Sequence, residues 1–120
     1  MRHRVEQRLE RLRADLGGRT ALLMHDSGAL LAWAGPGEEA TMARYCQARA
    51  DRDADLTHLL LRDVFPPDEV EAVVFRSVGR LSRVEVGVPG EQTDEQGKRL
   101  AERTDEAARE LEDLLREGGG

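Results

Sequence analysis

Residues 21–24, Ala-Leu-Leu-Met, are four apolar side chains in succession. Neighbouring side chains on an extended strand point to opposite faces, so such a run needs apolar cover on both sides and belongs in the interior of a sheet. His25-Asp26-Ser27-Gly28 follows, and then Ala29-Leu30-Leu31-Ala32-Trp33-Ala34 is apolar again. Asp and Ser bond locally to backbone, and Gly28 supplies the left-handed position that a short hairpin requires. The stretch therefore reads as a β-hairpin, with strands at 20–26 and 29–34.

The flanking segments supply helices and a second hairpin. Val5, Leu9, Leu12 and Leu16 recur at spacings of three and four, giving a first helix over 4–16 that Gly17-Gly18 stops. After Gly35-Pro36-Gly37, Glu38 and Glu39 suit a helix N-terminus, where the macrodipole favours anions. Residues 39–62 read as a long second helix, with Met42, Tyr45/Cys46, Arg49, Asp53, Leu56 and Leu59/Leu60 near one face. Its polar middle, "RADRDAD", is the place for a break, near residue 50, and Pro66-Pro67 closes the segment. Residues 70–78 and 81–88 read as strands joined by a tight turn, with Val84, Val86 and Val88 sharing one face. Thr93 and Gln96 form a capping box at the start of the last helix, whose stripe is Leu100, Ala107, Ala108, Leu111, Leu114 and Leu115. The order α-β-β-α-β-β-α predicts an α/β (α+β) domain, one antiparallel sheet sandwiched by helices. Residues 1–117 form a single domain and 118–120 a flexible glycine tail. The first helix is basic and the last acidic, which suits them as neighbours.

Composition narrows the function. The 120 residues carry a net charge of −6 and only 3% aromatics. An acidic, aromatic-poor chain lacks both the cationic footprint and the stacking platforms of nucleic-acid binding, and it disfavours anionic membranes. No apolar run is long enough to span a bilayer, the basic N-terminus has no apolar core of a secretion signal, and the single cysteine, Cys46, forms no internal disulfide. These readings place the protein in the cytoplasm, with no nucleic acid and no membrane among its partners.

Candidate chemistry is sparse. His25-Asp26-Ser27 has the residue types of a hydrolytic triad, but consecutive positions at a turn do not converge on one reacting atom. His3, His25 and His58 fall in three separate elements without metal-ligand spacing. Cys46 sits on an apolar helix face, and a reactive thiol there would need the cation of Arg49, three residues on. No phosphate-binding loop of the GxxxxGK[ST] kind is present. The sequence assigns no catalytic, cofactor-binding or metal-binding residue. Interaction residues are better supported. The second helix is longer than cover for four strands requires, and its spare apolar face suits a homodimer seam through Met42, Tyr45, Cys46, Leu59 and Leu60, which Tyr45→Asp would break. Trp33, as a hot-spot residue type, and Arg4, Arg8 and Arg11 of the first helix are candidates for partner contact.

The stretch "LGGRTALLMHDSGALLAWAG" resembles the roadblock/LC7 family, especially its bacterial MglB-like members. The shared pattern is an amphipathic first helix, a glycine break, an apolar strand, a D-x-G turn and a second apolar strand. The resemblance covers residues 5–35 and loosens beyond them. It implies a profilin-like roadblock fold with three strands after the second helix, where the residues give two. It also implies a non-catalytic dimeric regulator, joined through the second helix and adjoining strand, that binds or regulates a small Ras-like GTPase. The alternative is a small PAS- or GAF-like sensor domain holding a small-molecule ligand against its sheet.

Overall fold

A computed structural model describes residues 2–90 and 93–118. The elements run α1 (Arg2–Asp15), β1 (Ala21–His25), β2 (Leu30–Ala34), α2 (Glu39–Ala50), α3 (Ala54–Val64), β3 (Ala72–Val78), β4 (Ser82–Val88) and α4 (Asp94–Gly118). The four strands form one antiparallel sheet in the order β2-β1-β4-β3. β1 is central, and Ala21 to Met24 are all buried, as four consecutive apolar residues demand. Two strands follow the helices, as the residues indicate and unlike the three that the family resemblance implies.

The sheet separates two cores. On one side, α1 and α4 pack Leu9, Leu12, Ala107 and Leu111 against Leu23, Val84, Val86 and Val88. On the other, α2 and α3 pack Met42, Tyr45, Cys46 and Leu60 against Leu22 and Met24. Basic α1 and acidic α4 are joined by ion pairs from Arg8 to Glu110 and from Arg4 to Glu117. The capping box forms in both directions: the Thr93 amide donates to Gln96 Oε1 at 3.0 Å and the Gln96 amide to Thr93 Oγ1 at 3.2 Å. Gly118 is the last residue of α4, while residues 119–120 of the expected tail lie outside the described residues.

The expected long helix is two. The Asp53 amide bonds back to the Ala48 carbonyl at 3.0 Å, closing α2 with a left-handed residue at the turn. That residue is Arg52, with φ 57°, the one non-glycine at positive φ among the described residues. An L-residue there costs about 1 kcal/mol. Asp53 then accepts the Leu56 amide at 3.0 Å and caps α3. Beyond α3, the ring of Phe65 lies on Gly87. A Cβ at that position would come within 2.5 Å of Phe65 Cδ1, so β4 requires glycine where the ring crosses it.

Candidate functional site

The proposed seam residues divide sharply. Met42, Tyr45, Cys46 and Leu60 are buried in their own chain's second core, whereas Leu59 is 64% exposed. Positions 42, 45, 46 and 49 form the face of α2 that turns toward the sheet. A helical apolar stripe has the same period whether it meets its own sheet or a second copy. Here four of the five side chains pack in their own chain's core, and Leu59 stands exposed on the surface.

Tyr45 instead anchors a polar network beneath α2. Glu85 of β4 is 1% exposed. Tyr45 Oη donates to Glu85 Oε1 at 2.7 Å, and Arg49 Nη2 donates to Glu85 Oε2 at 3.1 Å. Arg83 Nε lies 3.8 Å from Oε2. A carboxylate under a helix is tolerated only when its lone pairs are met and its charge is opposed, and these partners do both. Tyr45 also sets its ring edge-on to Phe65, centroids 6.0 Å apart, with the Arg49 guanidinium 6.0 Å from its own centroid. Burial first, and the charge of Glu85 second, hold the Tyr45 hydroxyl well above its ordinary value. The same causes push the Cys46 thiol up to about 12, with Arg49 opposing them less strongly. This corrects the reading of Arg49 as an activating neighbour: its guanidinium serves Glu85, and the thiol stays protonated.

Arg4, Arg8 and Arg11 do come together. They line one side of an open groove of about 780 Å³ between α1 and α4, opposite Glu110, Asp113 and Glu117. Arg8 is buried and paired with Glu110, so its charge holds α4 to α1, while Arg4 and Arg11 remain exposed. Trp33, on the outer strand β2, is half-buried against the second core. A second open cleft, about 650 Å³, lies where α2, α3 and β4 meet, and Arg49, Arg52, His58 and Arg83 line it.

The His25-Asp26-Ser27 turn closes on itself. The Ser27 amide donates to His25 Nδ1 at 3.0 Å, and Ser27 Oγ lies 2.8 Å from the same nitrogen. The Asp26 amide donates to the Leu81 carbonyl at 2.8 Å, fastening this turn to the β3–β4 turn. An Nδ1 lone pair held by the turn's own amide is engaged in structure. Among the described residues no group of three or more His, Cys, Asp or Glu is placed to hold a metal ion, and no helix is long and apolar enough to cross a membrane.

No protein-family model matches the sequence, and no curated protein does. Solved structures do match. MglB of Myxococcus xanthus superposes with a TM-score of 0.68 at 17% identity, over 95% of this chain and 96% of that one. An MglB described as having a tetrameric arrangement gives 0.65 at 20% identity, over 96% of this chain and 90% of that one. The fold is that of MglB. The gliding protein MglB of Thermus thermophilus agrees, with a TM-score of 0.63 at 18% identity, over 96% of this chain and 90% of that one. The likeness read from residues 5–35 thus extends, as a shared MglB fold, along nearly the whole chain.

Glu85 escaped the sequence reading because the alternation of β4 was followed only for its valine face. The signal was present: Tyr45 and Arg49 stand four apart on one face of a helix expected over the sheet, and both seek a carboxylate.

Proposed function

We propose that this protein is a non-catalytic, self-associating regulatory module that binds or regulates a small Ras-like GTPase in the cytoplasm. The observation that carries this reading is the MglB fold along 95% of the chain. The GTPase rests on the roadblock/LC7 resemblance of the first hairpin, and self-association on that resemblance together with the tetrameric arrangement described for one MglB. The seam we assign runs over the outer surface of α3 and the free edge strand β3. Leu59 and Phe75 stand out there at 64% and 54% exposure. Met42, Tyr45, Cys46 and Leu60 shape that surface from below. Arg4 and Arg11 on the α1–α4 groove, and Trp33 on the β2 edge, are the partner contacts. An exposed phenylalanine on an unpaired edge strand is the kind of feature that sheets otherwise cover, which favours a second chain there.

The test is capture of GTPases by the tagged protein, with and without a non-hydrolysable GTP analogue, followed by single-turnover hydrolysis with the GTPase recovered. Enrichment with the analogue, and a hydrolysis rate changed by the protein, is the expected result. Recovery of this chain alone, or a captured GTPase whose rate and nucleotide exchange are untouched, overturns the regulatory reading.

A further inference from the structure

The cleft between α2, α3 and β4 is unusual for this molecule. The chain has 24 acidic and 18 basic residues, yet Arg49, Arg52, His58 and Arg83 line the cleft without a carboxylate among its walls. Asp51, Asp53 and Asp55 lie close by in sequence, and none of them forms an ion pair with the arginines of the cleft among the described residues. Asp53 caps the Leu56 amide, Asp51 accepts from Gln47 Nε2, and Glu85 lies beneath with an oxygen each for Tyr45 and Arg49. Glu85 is thus the one carboxylate in ion-pair contact with these guanidinium groups among the described residues, reached by Arg49 and Arg83. The donors are also incompletely used. Arg83 Nε is buried without a hydrogen-bond partner, and Arg52 makes no ion pair among the described residues. Arg52 also occupies a backbone position where glycine would sit without strain, at the turn between the two helices.

The geometry points to this cleft as a binding site for a small phosphorylated ligand. Its phosphoryl oxygens would be taken by the guanidinium groups of Arg49, Arg52 and Arg83 and by the Thr57 hydroxyl. Planar guanidinium forks match phosphate oxygens in pairs, through charge-assisted hydrogen bonds that are stronger than neutral ones. Three guanidinium groups also offer more donors than one carboxylate's two oxygens accept. The opening, about 650 Å³, is larger than a bare phosphate, and Ala54 and Leu61 give it an aliphatic wall for the remainder of a monoester. No aromatic ring lines it, so a nucleobase would find no face to stack on.

The experiment is calorimetric titration of the full chain with inorganic phosphate, with glycerol 3-phosphate and with citrate, at one fixed ionic strength. Saturable binding of phosphate, tighter for glycerol 3-phosphate and absent for citrate, is expected if the aliphatic wall is used. Equal affinity for the two phosphates assigns the site to the free ion and still supports it. Arg52→Gly removes a charge and a strained backbone together, so the fold survives, and affinity should drop at least tenfold. Arg109→Gln, an exposed arginine on α4, should leave affinity unchanged. No saturable binding of either phosphate overturns the inference. So does citrate binding as tightly as phosphate, or equal losses in the Arg52 and Arg109 variants.

Discussion

Glu85 and Tyr45 show how much of this protein's stability is concentrated in single groups. Tyr45→Phe keeps the ring against Phe65 but removes the donor to a buried carboxylate oxygen. Leaving such an acceptor unsatisfied costs about 1–3 kcal/mol, which chemical denaturation of the variant should read. Cys46 adds a pH dependence with a definite sign. Its thiol is pushed from 9.0 to about 12 in the fold, so the unfolded chain loses that proton first as pH rises. Between those values the unfolded state binds fewer protons, and stability falls with increasing pH. Tyr45, whose hydroxyl is also raised, acts in the same direction above pH 10. Thermal melts should hold level from pH 7 to 8.5 and decline from about pH 9, and the loss below pH 10 should be smaller in Cys46→Ala. Alkylation of Cys46 in the native protein should be slow for the same reason.

The elements were legible in proportion to how local their causes are. β1 announces itself through four consecutive apolar residues, the first hairpin through Asp26-Ser27-Gly28, and α4 through Thr93 and Gln96, each a cause contained within a few positions. The boundary between α2 and α3 was only half legible. The polar run marked the region, but the break depends on Arg52 taking a left-handed conformation, and an arginine carries no such preference in sequence. The seam was harder still. Periodicity identifies which residues of a helix face something apolar, and the occupant of that space is decided by tertiary packing. Thus Met42 and Leu60 read the same as Leu59 until the sheet is in place. Two element-scale outcomes follow. Asp53→Ala, which strips the cap from α3, should lower stability by about 1 kcal/mol in denaturant titration. Gly87→Ala, which drives a methyl group into Phe65, should cost about 1–3 kcal/mol or more and shift the near-ultraviolet signal of the Tyr45–Phe65 pair.

At the scale of the molecule, the assigned seam separates cleanly from the fold. Leu59→Asp places a charge on an exposed position, so the chain should fold with little change in melting temperature while its mass by light scattering falls to that of a monomer. Tyr45→Asp should behave oppositely, losing the folded state, because the new carboxylate would be buried beside Glu85. A Leu59→Asp protein that keeps the wild-type mass places the seam elsewhere. The sheet has its own consequence at this scale. Because β1 is buried on both faces, it belongs to both cores at once, whereas α2 and α3 belong to one. The sheet therefore acts as a bulkhead. The α2–α3 layer can loosen in sub-global openings that bare Leu22 and leave the other compartment intact, but the backbone at Leu22 and Leu23, paired with β2 on one edge and β4 on the other, is released only when the sheet itself comes apart. Amide exchange at these two residues should track the global unfolding free energy, with α2 and α3 exchanging through smaller events, and the protein would have a layer free to respond to a partner without risking its fold.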